Sequence, residues 1–307
     1  MPAPSAADAL RAVLARPGVH VMPCCFDAHS ARLVERAGFA LTFMSGFAVS
    51  AARIGLPDTG LISYGEMLDQ GRNICGAVGI PVIGDGDTGY GNAINVKRTV
   101  AGYAAAGFAC AMIEDQRAPK RCGHTRGKEV VDRGEAVMRI RAAVDARDAS
   151  APILVMARTD ARATHGLDEA LWRARAFADA GADILFVEAP RDEREMEQVC
   201  KASPLPQMAN LVEGGDTPLL DPKALEALGY RIAAYPLTLL SVATRAMQRA
   251  LEALRRGDRP ADVLPFAELR ALVGFDDYDA ERLRYAETPA DPQVSRSEPQ
   301  ASEDHKG

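Results

Sequence analysis

Residues 96–115 read VKRTVAGYAAAGFACAMIED. The first eleven, Val96–Ala106, have the spacing of a helix. Ala106-Gly107 then supplies the glycine that suits a left-handed helix cap. An apolar run follows, predicting a strand over Ala111–Glu114, and it ends on Glu114-Asp115. Ala37-Gly38 and Ala180-Gly181 repeat the same punctuation elsewhere in the chain. Strands are predicted over His20–Pro23, Leu41–Ser45, Pro81–Gly84, Ala111–Glu114, Ile153–Ala157, Ile184–Glu188, Gln207–Asn210 and Ile232–Tyr235. Helical spacing falls between them, over Ala28–Ala37, Tyr64–Val78, Val96–Ala106, Arg133–Arg147, Leu167–Ala180, Glu193–Lys201 and Pro222–Leu228. Nearly continuous apolar strands imply burial on both faces, as in parallel sheets.

Eight strands with intervening helices predict an α/β fold, the (β/α)₈ TIM barrel. An open doubly wound sheet is the runner-up, but no GxGxxG follows the first strand, which weakens a dinucleotide site. Leu239–Arg255 and Phe266–Val273 read as helices after the eighth strand. Residues 1–286 are expected to form one barrel domain with C-terminal helices. Residues 287–307 are polar and rich in Pro, Ser, Glu and Asp, and are predicted disordered.

Composition narrows the partners. The chain has 307 residues, 48% hydrophobic and 25% charged, with a net charge of −6. That balance allows a sizeable core and argues against a nucleic-acid binder. No apolar run reaches the ~18 residues of a membrane-spanning helix. Met1 to Arg16 shows no signal-peptide pattern. Six cysteines at this length form no disulfide framework and no CxxC pair. Free thiols fit a reducing cytoplasm.

Barrel active sites form at the C-terminal strand ends. Here those ends carry Ser45-Gly46, Asp85-Gly86-Asp87, Glu114-Asp115, Arg158-Thr159-Asp160, Glu188 and Asn210. Asp85 and Asp87, two apart on an extended segment, point the same way. With Glu114 they make a hard-oxygen set that suits Mg²⁺ or Mn²⁺. The same Asp-Gly-Asp also reads as a glycine-rich acidic turn. Arg158 can fork a substrate carboxylate, or serve as a buried partner of Glu188 or Asp160. Glu188 is a candidate for orienting a metal-bound water.

Residues 119–124 read Pro-Lys-Arg-Cys-Gly-His. Cys122 lies in a polar stretch among Lys120, Arg121, Arg126 and Lys128, whereas Cys75, Cys110 and Cys24-Cys25 lie in apolar runs. Nearby cations activate thiols, so Cys122 is placed for chemistry on an anionic substrate. His124 reads as a base, a switch or a surface residue.

These pieces together resemble the isocitrate lyase / phosphoenolpyruvate mutase superfamily. The matching motifs are Ser45-Gly46-Phe47, Gly55-Leu56-Pro57-Asp58, Gly84 to Gly91, Ile113-Glu114-Asp115-Gln116, the 119–124 hexapeptide, Ala157-Arg158-Thr159-Asp160 and Val187-Glu188-Ala189-Pro190. The resemblance spans roughly Gly18 to Tyr278. It implies a (β/α)₈ barrel, a Mg²⁺ cofactor, and a homotetramer whose subunits exchange C-terminal helices. Superfamily members with the cysteine loop break carbon–carbon bonds. Methylisocitrate lyases usually carry a glycine run after Ser-Gly, whereas here Phe47 follows Gly46. Cys122 to Thr125 and Tyr235-Pro236-Leu237-Thr238 look more like the dimethylmalate lyase and petal death protein group.

The resemblance implies cleavage of a 2-hydroxy dicarboxylate, of 2-alkylmalate or 2-methylisocitrate type, to a 2-oxo acid and a carboxylate. Asp85 and Asp87 would hold the metal, with Asp58 and Glu114 near its water shell. Ser45, Gly46 and Phe47 would hold the oxo-acid end. Arg158 would fix a carboxylate, with Asn210, His124 and Gly123 beside it. Cys122 would be the general acid. Hydrolysis of oxaloacetate to oxalate and acetate, with Thr238 at a hydrated C2, is the alternative. Oxaloacetate decarboxylation, phosphonate-bond chemistry and a non-catalytic ligand-binding barrel rank below it. Phe43, Phe47, Leu237 and Leu239 are candidates for shaping the pocket around the C3 substituents.

Overall fold

The structure, a computed structural model, describes residues 4–122, 127–149 and 152–285. Its strands are β1 (His20–Cys25), β2 (Thr42–Met44), β3 (Val82–Asp85), β4 (Cys110–Glu114), β5 (Leu154–Thr159), β6 (Ile184–Val187), β7 (Met208–Asn210) and β8 (Ile232–Tyr235). They pair in parallel in the order β6-β5-β4-β3-β2-β1-β8-β7. The two ends of that order meet. Leu185 bridges Gln207 in parallel, and the Leu185 N–H donates to the Pro206 carbonyl at 2.9 Å. The eight strands form the barrel that the repeat predicts.

The helices are α1 (Ala6–Leu14), α2 (Ala28–Arg36), α3 (Gly46–Val49), α4 (Tyr64–Ala77), α5 (Ala93–Ala106), α6 (Arg133–Ala149), α7 (Ala161–His165), α8 (Leu167–Asp179), α9 (Glu193–Lys201), α10 (Pro222–Leu228), α11 (Thr238–Arg255), α12 (Phe266–Val273) and α13 (Phe275–Arg284). A π-helical segment, Ser50–Ile54, continues α3. The helix in the opening stretch shows how these boundaries are set. The Asn92 side chain accepts from the Ile94 and Asn95 N–H groups, and Gly107 closes the helix at φ 96°. That left-handed conformation disfavours residues bearing a Cβ. Four helices carry no prediction above: α1, α3, α7 and α13. Two of them, α3 and α7, have only four and five residues, too few for a period to show.

Side chains alternate across a strand, and that alternation gives the sheet a core on each face. Met22, Phe43, Ile83, Met112, Met156, Phe186, Met208 and Ile232 form a buried cluster with Leu10 and Val13 of α1. Their strand neighbours Val82, Ala111, Ile113, Val155, Ala157 and Leu185 join Val100, Tyr103, Ile140 and Phe177 from the helices. Each large apolar side chain so buried contributes about 1.5–3 kcal/mol. Close packing also demands small residues. A Cβ on Gly84 would lie 2.7 Å from Phe108 Cε1 and 2.8 Å from Tyr103 Cε2. Those two rings stack with centroids 4.5 Å apart, so neither is easily moved. Gly84→Ala is expected to cost about 1–3 kcal/mol, read as a lower urea midpoint. An unchanged midpoint would show that the ring pair yields freely.

The chain divides into two compact units, Met1–Gln248 and Arg249–Gly307. The first holds all eight strands. The described part of the second holds the end of α11 together with α12 and α13. Residues 287–307, the predicted tail, lie outside the described residues.

Candidate active site

The inward-facing row that fills the barrel becomes polar at the strands' C-terminal ends. Glu114 follows Met112 two residues on, Arg158 follows Met156, Glu188 follows Phe186 and Asn210 follows Met208. Asp85 follows Ile83 in the same way. The period that builds the core therefore also aims these groups into one mouth.

Asp85 is fixed by backbone donors. The Gly46 N–H donates to its Oδ2 at 3.1 Å and the Asp87 N–H to its Oδ1 at 3.0 Å. The Tyr103 hydroxyl donates to its carbonyl at 2.7 Å. Asp87 itself sits at φ 48°, an uncommon backbone conformation for a residue with a Cβ. Gly86 between them cannot be larger, because a Cβ there would lie 2.6 Å from the Met112 carbonyl oxygen.

Lys120 lies on this acidic cluster. Its Nζ is 2.5 Å from Asp58 Oδ1 and 2.7 Å from Asp87 Oδ1, and all three side chains are 5% exposed. Burial alone would push the lysine down, but Asp87, Asp85, Asp58 and Glu114 hold it well above its ordinary value. Burial pushes Asp87 up to about 7, against the pull of Lys120 and with that of Asp85 and Asp58. Burial also raises Glu114 well above its usual range, opposed by Arg158 and Lys120. The basic patch read around Cys122 is thus divided: Lys120 is taken up by carboxylates rather than left open.

Arg158 is surrounded by carboxylates. Its Nε and Nη2 fork Asp160 at 2.9 and 3.1 Å. Nη2 also lies 3.1 Å from Glu188 Oε2, and Nη1 lies 3.4 Å from Glu114 Oε2. The guanidinium stands over the Phe186 ring at 5.1 Å. Asn210 Nδ2 donates to Glu188 Oε2 at 3.2 Å. Asp160 is steadied from below: its N–H donates to Asp115 Oδ1 at 2.9 Å. Asp115 in turn accepts from the Thr159 hydroxyl at 2.6 Å and pairs with Arg173 at 3.0 Å.

A cavity opens among these groups. Its polar wall is Ser45, Asp58, Asp85, Cys122, Arg158, Glu188 and Asn210. Its apolar wall includes Phe43, Phe47, Met112, Phe186, Met208, Pro236 and Leu237, with Cys24 among them. Burial holds the Cys24 thiol well above its ordinary value, as suits a packing residue. Phe43, Phe47 and Leu237 line the cavity as expected, whereas Leu239 does not. Thr238 is turned to Glu213, to which its hydroxyl donates, and it does not line the cavity either. Asp87 and Glu114 are buried outside the wall. Gly123 and His124 lie outside the described residues. Met112, Phe186 and Met208 were read only as strand core; their place two residues before a polar strand end was the signal that they floor the cavity.

Among the described residues, no three His, Cys, Asp or Glu side chains stand together as a ready metal cage. The donor chemistry nevertheless fits a hard divalent ion. Glu114 Oε1, Asp58 Oδ1 and Asp87 Oδ1 are buried without a hydrogen bond of good geometry, although Lys120 forms ion pairs with the last two. Oxygen donors with unused lone pairs are what Mg²⁺ takes, directly or through water. No helix among the described residues is long and apolar enough to cross a membrane.

A family model described as phosphoenolpyruvate phosphomutase matches residues 10–255. The chain is 45% identical over 271 residues to 2,3-dimethylmalate lyase of Eubacterium barkeri, covering 87% of this chain and 93% of that protein. It is similar in structure to oxaloacetate acetylhydrolase in complex with the inhibitor 3,3-difluorooxalacetate. There the TM-score is 0.88 at 34% identity, over 93% of this chain and 98% of the other. It is also similar to a phosphonopyruvate hydrolase complexed with oxalate and Mg²⁺, with a TM-score of 0.82 at 31% identity over 92% of this chain and 100% of the other. The chain belongs to the phosphoenolpyruvate phosphomutase family, and it is an enzyme of the isocitrate lyase / PEP mutase superfamily.

Proposed function

We propose that the chain is a Mg²⁺-dependent carbon–carbon lyase. Its substrate would be a 2-hydroxy dicarboxylate of 2-alkylmalate or 2-methylisocitrate type, and its products a 2-oxo acid and a carboxylate. The observation that carries this is the cavity itself, where Asp85, Cys122 and Arg158 share a wall facing apolar side chains. Among the described lining residues Arg158 is the one cation. One carboxylate at the acidic, metal-binding end and a second at Arg158 account for a dicarboxylate. Phe43, Phe47, Met208 and Leu237 then favour alkyl substituents over a third carboxylate, which places 2-alkylmalates ahead of 2-methylisocitrate. The 45% identical relative is a 2,3-dimethylmalate lyase, in keeping with this.

Asp85 and Asp87 would hold the ion, with Asp58 and Glu114 around its water shell. Bound there, Mg²⁺ would polarise the substrate hydroxyl and the neighbouring carboxylate. Backbone groups of Ser45 to Phe47 orient the oxo-acid end. As C2–C3 breaks, the substrate hydroxyl passes its proton to the Glu188 carboxylate on the cavity wall, and Arg158 and Asn210 face the charge that grows on the departing carboxylate fragment. Cys122 gives its proton to the carbon of that fragment. Hydrolysis of oxaloacetate is the second reading, favoured by the likeness to oxaloacetate acetylhydrolase. Thr238 offers it little, since its hydroxyl is committed to Glu213.

The test is a substrate panel with Mg²⁺: 2,3-dimethylmalate, 2-methylisocitrate, isocitrate and oxaloacetate, with 2-oxo acid and oxalate followed separately. Fastest release of 2-oxo acid from 2,3-dimethylmalate is expected. Oxalate from oxaloacetate alone would favour the second reading, and silence throughout would end both.

Metal binding should depend on pH. Asp87 is raised to about 7, so below that pH its carboxyl is mostly protonated and neutral. A cation must displace that proton. Mn²⁺ affinity, followed by water-proton relaxation, is expected to rise about fivefold from pH 6 to pH 7 and about tenfold by pH 8, and to flatten above that. Equal affinity at pH 6 and pH 8 would remove Asp87 from the ligand set.

The proposal extends to assembly as a homotetramer with exchanged C-terminal helices. Phe266, Phe275, Tyr278 and Leu283 on α12 and α13 are exposed, and neither helix buries a residue. Six free cysteines fit a reducing, cytoplasmic setting. Light scattering on the purified protein at four times the chain mass is the expected result.

A further inference from the structure

Lys128 is a nearly buried cation with no part in the proposed chemistry. Its side chain is 4% exposed, and its Nζ lies 3.1 Å from Asp160 Oδ1. That same oxygen accepts from Arg158 Nη2 at 3.1 Å. Asp160 is fully buried, so its charge falls on these two cations with little screening. The segment carrying Lys128 is itself held. Gln116 bridges Val130 in antiparallel fashion, and the Arg117 N–H donates to the Glu129 carbonyl at 2.8 Å. The lysine is thus delivered to Asp160 by a defined backbone path.

We propose that Lys128 is a positioning residue for Arg158, acting through Asp160. Asp160 competes with any substrate carboxylate for the Arg158 guanidinium. By sharing Oδ1, Lys128 draws off part of that carboxylate's charge and leaves Arg158 better able to meet an anion in the cavity. Without Lys128, Asp160 presents its whole charge to Arg158. The inference rests on the reading that Arg158 fixes a substrate carboxylate, and on no particular substrate.

The test uses the full-length chain with Mg²⁺ present. Succinate, a dicarboxylate that cannot be cleaved this way, is titrated by calorimetry into wild type, Lys128→Met, Lys128→Arg, Asp160→Asn and Lys128→Met/Asp160→Asn. KM and kcat on 2,3-dimethylmalate are measured in parallel. Lys128→Met is expected to weaken succinate about tenfold and to raise KM more than it lowers kcat. Lys128→Arg should bind within about threefold of wild type. In the double variant, removal of the competing charge should restore most of the lost affinity. A residue that merely braced its own segment would give no recovery on adding Asp160→Asn, and that result would overturn the proposal. So would wild-type affinity in Lys128→Met, or no succinate binding by wild type. The expected binding pattern without turnover by wild type would leave the positioning role standing and defeat the proposed function. Turnover by wild type with an unmoved KM in Lys128→Met would do the reverse.

Discussion

Cys122→Ser is expected to fold as wild type and to lose at least ~10³-fold in turnover, near the upper part of the range for general acid catalysis. The two side chains are close in size, and Cys122 is only half-buried on the cavity wall, so the fold has little reason to respond. The chemistry does. A thiol is a far stronger acid than a hydroxyl, and the carbon fragment released by C2–C3 cleavage must take a proton from something within reach. The neighbourhood sharpens the role. Lys120, two residues away, has its ammonium between Asp58 and Asp87 rather than free in the cavity. One of the cations that would have suited a thiolate nucleophile is therefore engaged elsewhere. Circular dichroism and thermal unfolding give the control, and kcat on 2,3-dimethylmalate gives the result. Turnover like wild type would end the general-acid assignment.

Asp85→Ala should remove activity and metal dependence together, again by ~10³-fold or more in kcat. Both oxygens of Asp85 accept backbone N–H groups, from Gly46 and Asp87. Truncation would leave those buried donors unpaired, at about 1–3 kcal/mol each. Asp85→Asn is the needed companion, since it keeps the shape and an acceptor oxygen while losing the charge. The asparagine variant is expected to unfold near the wild-type temperature, bind Mn²⁺ at least tenfold more weakly, and stay inactive. Activity in wild type that survives EDTA would remove the metal from the account.

The barrel was legible in the sequence because its strands are buried on both faces and its helices end on glycine. All eight predicted strands are present, with ends shifted by no more than two residues, as for Leu41–Ser45 against Thr42–Met44. The polar strand ends were legible for the same reason, since the inward row is simply continued. Three features were less so. Lys120 read as part of a basic patch, and only the fold brings Asp58 and Asp87 beneath it. Arg158 was left open between a substrate clamp and a buried partner. The structure gives it Asp160, Glu188 and Glu114 as partners, which bears out the buried-partner option, and a face on the cavity on which the proposed clamp rests. Lys128 gave no sign of its bond to Asp160, because a contact across 32 positions leaves no local pattern.

Cleavage of the bond between C2 and C3 can be observed directly in one experiment. The protein is incubated with Mg²⁺ and 2,3-dimethylmalate in D₂O, and the products are followed by NMR. Pyruvate and propionate are expected in equal amounts. The propionate should carry one solvent deuterium at the carbon that was C3, and EDTA should stop the reaction. Unchanged 2,3-dimethylmalate, beside oxaloacetate converted to oxalate and acetate, would contradict the proposed lyase activity.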